Sequence, residues 1–161
     1  MRKIAVCPGS FDPITYGHLD IIERASMLFD KVIVLVSFNS QKKPSFTIDE
    51  RLDMIHAVVR CWDNVVADCW DGLLADYLKE RQATAIVKGL RAVTDFEYEF
   101  SMALANKKLY PDAETVFLTT SQENMYMSSS LVKEIARLGG DISTFVPPQI
   151  HDMIKTRLRK I

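Results

Sequence analysis

Residues 4–18 read IAVCPGSFDPITYGH, and this stretch sets the pattern for the whole chain. The apolar run at 4–7 predicts a buried strand, which Pro8 and Gly9 close. An apolar stripe at helical spacing follows over 17–29. A strand, a glycine-containing loop and a helix in this order begin a βαβ unit. We therefore expect a parallel sheet that binds its ligand at the carboxyl ends of its strands.

The alternation of strand and helix continues to the end of the chain. Apolar runs predict four further strands, at 32–36, 65–69, 83–87 and 115–118. Helical patterns lie between them and after them, at 47–59, 73–80, 94–109, 129–138 and from 147 onward. Thr47 with Glu50 and Thr94 with Glu97 have the spacing of capping boxes. The sequence thus predicts an α/β fold in one domain, 1–161, with a five-stranded parallel sheet, helices on both faces and right-handed crossovers.

Composition narrows the classes of partner. The chain has 161 residues, with 20 Lys and Arg against 21 Asp and Glu. A net charge this close to zero does not favour binding to a nucleic acid. A phosphorylated small molecule needs only a few local cations. Three cysteines without C-x-x-C spacing indicate a reducing compartment. We expect a cytoplasmic protein without a membrane partner, since the start of the chain lacks a signal-peptide core and no apolar run reaches about 20 residues.

The loop after the first strand is the first candidate site. It lacks the G-x-G-x-x-G pattern of dinucleotide-binding proteins, but Gly9 and Gly17 would let a ligand approach the backbone. His18 falls at a helix start, where free N–H groups favour an anion, and it could donate to a phosphate. The alternative is that Gly17 shapes a turn and His18 has no chemical role.

Three more loops are predicted at the same edge of the sheet. After the fourth strand, Lys88 and Arg91 flank Gly89 and Leu90, which suits a cluster of phosphates or simply a solvated loop. Glu97 is explained by capping, whereas Glu99 could face the site. After the fifth strand, the serines at 128–130 could bind phosphate oxygens or act as a plain helix cap. After the second strand, Lys42 and Lys43 lie in a polar loop.

Together these segments resemble the phosphopantetheine adenylyltransferase family of the nucleotidylyltransferase superfamily. The matching stretches are PGSFDPITYGH at 8–18, KKP at 42–44, KGLRAVTDFEYE at 88–99 and SSSLVKE at 128–134. The resemblance implies a Rossmann-like domain that transfers the adenylyl group of ATP to 4′-phosphopantetheine and releases pyrophosphate. It also implies Mg²⁺ carried mainly by the ATP phosphates without a protein-held metal site, a cytoplasmic homohexamer and feedback inhibition by coenzyme A.

The resemblance also implies the site residues. His18, as transition-state stabiliser, and Lys42 would be catalytic. The acceptor substrate would be bound by Ser10, Lys42, Leu74 and Lys88. ATP would be bound by Ser10, Phe11, His18, Gly89, Leu90, Arg91, Glu99, Asn124, Met125, Tyr126, Met127, Ser128, Ser129 and Ser130. The family commonly has Arg where this chain has Lys88. Lysine lacks the bidentate geometry of arginine, so the affinity for the acceptor phosphate is the implied property that this difference affects most.

The resemblance further implies a mechanism without a general base. A phosphate monoester is largely dianionic at pH 7 and can itself attack the α-phosphorus of ATP. Catalysis would then consist of positioning and electrostatic stabilisation. The rival interpretations are a sister enzyme such as a nicotinate-mononucleotide adenylyltransferase or a cytidylyltransferase, a synthetase fragment, and a nucleotide-binding regulator without catalysis.

Overall fold

A computed structural model describes residues 2–38 and 43–159. Its strands are β1 (Ile4–Gly9), β2 (Lys31–Ser37), β3 (Val65–Trp70), β4 (Ala85–Leu90) and β5 (Glu114–Thr119). Its helices are α1 (Tyr16–Leu28), α2 (Ile48–Val59), α3 (Leu74–Arg81), α4 (Val93–Leu109), α5 (Ser129–Arg137) and α6 (His151–Leu158). All strand pairs are parallel, in the order β3-β2-β1-β4-β5. The predicted α/β class and five-stranded parallel sheet are confirmed.

Side chains from alternate positions of β1, β2 and β4 enter two separate apolar clusters. Ala5 and Cys7 of β1 belong to the cluster that α1, α2, α5 and α6 cover. Val6 lies on the opposite face with Tyr77 and Leu78 of α3. Because successive residues of a strand point to opposite faces, the near-continuous apolar run of β1 is what a sheet covered on both sides requires.

The strand order changes direction between β1 and β4, and this is where the fold opens a crevice. β1 pairs with β2 on one side and with β4 on the other, so the chain leaves the two strand ends in opposite directions. Such a switch point separates the loops at the carboxyl ends and leaves room for a ligand. The loops predicted to carry chemistry flank this point.

The strands end later than the apolar runs predict, most of all β1 and β4. Pro8 and Gly9 still pair with β2, so their predicted place in the loop after β1 is wrong. β4 continues its ladder with β5 through Lys88↔Phe117 and Leu90↔Thr119. Lys88, Gly89 and Leu90 are therefore the last residues of the strand, and their predicted place in the loop after it is wrong. The backbone ladder does not depend on side-chain polarity, so it runs past the point where the apolar run ends.

The helix ends confirm one predicted capping box and overturn the other. The Thr47 hydroxyl accepts from the Glu50 N–H, and the Glu50 carboxylate accepts from the Thr47 N–H. The predicted box of Thr94 with Glu97 is wrong, because α4 begins one residue earlier and Ala92 takes the cap position without a side-chain bond. No described helix has the length and apolarity needed to cross a bilayer.

Candidate active site

A cavity of ≈ 700 Å³ occupies the switch point between β1 and β4. Its floor is formed by the ends of these strands, including Cys7 and Val87. Its walls come from the loop after β1, the start of α1, the segment before α2 and the start of α5. The cavity thus lies where a parallel sheet of this order is expected to hold a ligand.

The ring of His18 is fixed in one tautomer by the start of α1. The Thr15 N–H donates to Nδ1 of His18 at 3.0 Å, and the Thr15 hydroxyl lies 3.1 Å from the same nitrogen. The Thr15 hydroxyl in turn accepts from the His18 N–H at 3.4 Å, which completes a capping box. Since Nδ1 accepts a backbone N–H, the ring proton must reside on Nε2. His18 lines the cavity, so it presents a neutral hydrogen-bond donor there.

The surroundings of His18 keep the ring neutral. Burial, and after it the charges of Arg91 and Lys88, lower the pKa of His18 from 6.5 to about 4. Desolvation and nearby positive charge both disfavour an imidazolium. At neutral pH the ring therefore works as a fixed donor rather than as an acid that gives up its proton.

Phe11 supports the histidine ring from the side. The two rings meet edge to face with centroids 5.1 Å apart, and Phe11 is buried. Its backbone has φ 45°, in the left-handed region that non-glycine residues rarely adopt. A Cβ on Gly9 would approach the Phe11 ring to 3.0 Å, so glycine is needed there to admit the ring. The strained backbone of Phe11 is thus held by packing at the site that it serves.

Two cations enter the cavity from the end of β4, and each is held by a carboxylate of α4. The Lys88 Nζ lies 3.2 Å from the Glu99 carboxylate, and both side chains are largely covered. The Arg91 Nε lies 3.4 Å from the Asp95 carboxylate, and its Nη1 donates to the Met127 carbonyl at 2.9 Å. Arg91 therefore ties β4 to the segment that leads into α5.

The three serines have different local roles. The Ser128 hydroxyl accepts from the Leu131 N–H at 3.1 Å and caps α5, as the simpler interpretation predicts. The Ser129 hydroxyl donates to the Pro13 carbonyl at 2.8 Å, which joins the start of α5 to the loop after β1. All three line the cavity, where the first-turn N–H groups of the helix favour an anion.

The predicted site residues divide into those that line this cavity and those that do not. The lining contains Ser10, Phe11, His18, Lys88, Gly89, Arg91, Glu99, Met127, Ser128, Ser129 and Ser130. Among the described residues, those placed outside this lining are Leu74, Leu90, Asn124, Met125 and Tyr126. Asn124 and Tyr126 instead line a neighbouring hollow of ≈ 540 Å³ with Tyr16. Lys42 lies outside the described residues. The ligand contacts of all these side chains stay predictions.

Comparison with known proteins places this geometry in a family. A family profile described as Cytidylyltransferase-like matches residues 6–135. A phosphopantetheine adenylyltransferase of Caldanaerobacter subterraneus is 53% identical over 158 residues, which cover 98% of this chain and 99% of the relative. One of Alkaliphilus metalliredigens is 55% identical over 145 residues, which cover 90% and 92%. The chain belongs to the phosphopantetheine adenylyltransferase family. The predicted resemblance and the nucleotidyltransferase class are thereby confirmed.

Solved structures agree with the fold of a family member. A putative nicotinate-nucleotide adenylyltransferase from Vibrio parahaemolyticus superimposes with a TM-score of 0.77 at 20% identity and covers 100% of this chain and 98% of its own. A Plasmodium falciparum nicotinic acid mononucleotide adenylyltransferase, complexed with NaAD, gives 0.74 at 17% identity and covers 98% of this chain and 97% of its own. At these identities the likeness concerns the fold alone, which is the predicted Rossmann-like architecture.

The site of this phosphopantetheine adenylyltransferase family member contains charged residues to which the sequence reasoning gave no role. The carboxylate of Asp12, buried in the loop after β1, lies 2.7 Å from the Lys133 Nζ. Arg51, also buried, donates from Nη1 to the Ser10 carbonyl at 2.9 Å. One signal pointed to Arg51, since it lies on the apolar stripe of α2 with Ile55 and Val59. Asp12 and Lys133 lie within the matching stretches 8–18 and 128–134, but no sequence pattern indicates that they form an ion pair.

Two of the carboxylates that line the cavity are engaged with protein cations. Asp12 faces Lys133 and Glu99 faces Lys88, so each is neutralised within the chain. Within 2–38 and 43–159, no group of three or more His, Cys, Asp or Glu residues is arranged to hold a metal ion.

Proposed function

We propose that this protein transfers the adenylyl group of ATP to 4′-phosphopantetheine, giving dephospho-coenzyme A and pyrophosphate. The relatives that are more than half identical carry the name of this activity. The observation that carries the mechanism is the fixed tautomer of His18, because a neutral Nε2–H at the cavity suits a phosphate oxygen.

The reaction is an in-line displacement at the α-phosphorus of ATP. A phosphate oxygen of the acceptor forms the new bond to phosphorus, and the bond to the β-phosphate oxygen breaks, so that pyrophosphate leaves with its electron pair. Lys88 and Lys42 hold the acceptor phosphate, while Arg91 and the start of α5 hold the triphosphate. His18 donates to the α-phosphate as its charge builds up. Mg²⁺, carried mainly by the ATP phosphates, would screen the repulsion between the two anions.

The experiment that tests this function measures pyrophosphate release with MgATP and a panel of acceptors. The panel contains 4′-phosphopantetheine, nicotinate mononucleotide and a cytidylyltransferase pair, CTP with glycerol 3-phosphate. We expect turnover with ATP and 4′-phosphopantetheine only. Turnover of nicotinate mononucleotide would favour the sister enzyme, and ATP binding without turnover of any acceptor would favour the regulator.

We also propose that the protein assembles as a homohexamer, and helix α4 supports self-association. Its inward stripe is polar or small, with Glu99, Ala103 and Asn106 facing the protein. Its exposed side carries Val93, Tyr98, Phe100, Met102, Leu104 and Leu109. An ordinary surface helix turns its large apolar side chains to the core, whereas α4 leaves these exposed. Patches of this kind mark interaction sites. Sedimentation equilibrium checks the proposal: a monomer at micromolar concentration would contradict it.

Two further features are proposed from the family resemblance. Coenzyme A acts as a feedback inhibitor, which competition against 4′-phosphopantetheine in the same assay would reveal. The protein works in the cytoplasm as a single nucleotidylyltransferase domain, and its three cysteines, all free thiols, suit a reducing compartment.

A further inference from the structure

A buried carboxylate joins three segments of the chain beside the cavity. The Asp12 side chain accepts from the Ser45 N–H at 3.0 Å and from the Phe46 N–H at 2.9 Å. It also accepts from the Lys133 Nζ at 2.7 Å. We call this set, Asp12 with Ser45, Phe46 and Lys133, the Asp12 clamp. It connects the loop after β1, the segment before α2 and the first turns of α5.

The segment that the clamp holds contributes to the cavity wall. Lys43, Pro44 and Thr47 line the cavity on the side of β2. This segment follows directly on Lys42, the residue predicted to hold the acceptor phosphate. Asp12 is 5% exposed, and the Lys133 side chain 17%, so their ion pair is shielded from water and is stronger than a surface pair. A buried partner with directed bonds fixes position as well as charge.

The ATP side of the cavity has its own anchors, which do not pass through Lys133. Arg91 holds the Met127 carbonyl, and Ser129 holds the Pro13 carbonyl. Ser128 caps α5 by itself. The segment before α2 has surface anchors as well, since Arg137 donates to the Ser45 hydroxyl and Arg157 to the Ser45 carbonyl. Asp12 is the buried anchor of this segment, so we expect the loss of its partner Lys133 to act mainly on the Lys43–Thr47 side of the cavity.

We propose that Lys133 is a positioning residue for the acceptor substrate: through Asp12 it fixes the segment before α2 against the loop after β1. This assignment rests on the proposed function, since it takes that side of the cavity to hold the acceptor. Lys133 also lines the cavity, but in this assignment it acts through its ion pair with Asp12 rather than as a phosphate ligand. Its contribution is the placement of the acceptor wall before the acceptor arrives, so that binding does not have to order this segment.

The first test is steady-state kinetics of Lys133→Met in the full-length protein. We expect KM for 4′-phosphopantetheine to rise about tenfold and kcat to fall about tenfold, with KM for ATP within about twofold of the unsubstituted protein. Lys133→Arg keeps the charge and a donor, and should restore most of the loss. Lys155→Met is the matched control, since Lys155 is exposed on α6 and forms no ion pair with another described residue. An equal rise in both KM values, or unchanged kinetics, overturns the proposal.

The second test is hydrogen exchange of the free protein, which does not depend on turnover. In Lys133→Met the amides of Ser45 and Phe46 should exchange about tenfold faster, while those of Met127–Ser129 stay as protected as before. Unchanged exchange at Ser45 and Phe46 overturns the clamp even if kinetics change, because Lys133 would then act directly on a phosphate. If the unsubstituted protein fails to turn over 4′-phosphopantetheine, the proposed function fails, and the exchange result still decides the clamp.

A second variant covers the case in which Lys133→Met does not fold. Removing Lys133 alone leaves the Asp12 carboxylate buried without its cation, which is costly. Asp12→Asn combined with Lys133→Met removes both charges, while the amide oxygen still accepts from Phe46. The same selective rise in acceptor KM is expected, and its absence in a folded double variant overturns the proposal.

Discussion

The substitution His18→Ala removes the neutral Nε2–H donor that the start of α1 fixes at the cavity. Loss of a single donor of this kind, aimed at developing negative charge, costs about 2.7–4 kcal/mol and lowers kcat about 10²–10³-fold. KM for ATP should change far less, because the other contacts predicted for the triphosphate remain. The assay is pyrophosphate release with both substrates at saturation, followed by separate titrations of each substrate.

The same substitution also has a structural effect that must be separated from the chemical one. Nδ1 of His18 accepts from the Thr15 N–H at 3.0 Å, so alanine leaves that N–H without its partner. Loss of such a cap costs about 1 kcal/mol, or about 2–4 °C in Tm for a chain of this size. His18→Gln is the matched variant, since glutamine is the usual partner at this position of a capping box. It should keep Tm within about 1 °C of the unsubstituted protein, while kcat stays low.

Two results would refute this reasoning. If kcat of His18→Ala remained within about fivefold of the unsubstituted protein, His18 would have no place in the mechanism. If His18→Gln regained kcat in proportion to Tm, the histidine would act through the helix start alone. Melting curves and kinetics on the same preparations distinguish these outcomes.

Three more outcomes follow from the described geometry. The folded pKa of His18, about 4, lies below its unfolded value of 6.5, so the neutral ring favours the folded state. This contribution is complete above about pH 6.5 and is lost as the pH falls towards 4. It amounts to at most about 3 kcal/mol. Urea unfolding at several pH values measures it, as the difference in unfolding free energy between the unsubstituted protein and His18→Gln. Lys88→Ala should raise KM for 4′-phosphopantetheine about 10- to 100-fold and KM for ATP far less, and equal rises in steady-state titrations would contradict the acceptor assignment. In Gly17→Ala the new methyl group meets only ordinary protein contacts, the nearest at 3.5 Å, so the Tm measured by thermal melting should stay the same or rise. KM for ATP should increase, because the methyl group would occupy space near the ligand. An unchanged KM would show that no ligand passes close to this backbone.

The sequence was informative where a local pattern determines the structure. Each of the five predicted strands exists, because strongly apolar runs in alternation with helices leave few other packings. The end of α5 was also predicted: Gly139 has φ 76°, and the Gly140 N–H donates to the Ile135 carbonyl, which closes the helix in a Schellman motif.

The sequence was less informative where the outcome depends on tertiary contacts. The end of β4 was misplaced because Lys88 looks like a loop residue, although its backbone pairs with β5. The tautomer of His18 depends on how Thr15 is turned at the helix start, which no spacing reveals. Asp12, Ser45 and Lys133 lie far apart along the chain, and only the folded sheet edge brings them together.

Helix α4 connects the cavity to the surface that we propose for self-association. One side of it carries Glu99, which holds Lys88 beside the ligand site, while the other side is the apolar surface proposed to pack against further copies. If the copies associate through that surface, dilution below the dissociation constant uncovers it and by mass action lowers the apparent stability of the protein. As the protein is diluted at a fixed substrate concentration, both its specific activity and its Tm should decrease. The protein concentration in the assay would then affect the placement of Lys88 as well as the oligomeric state.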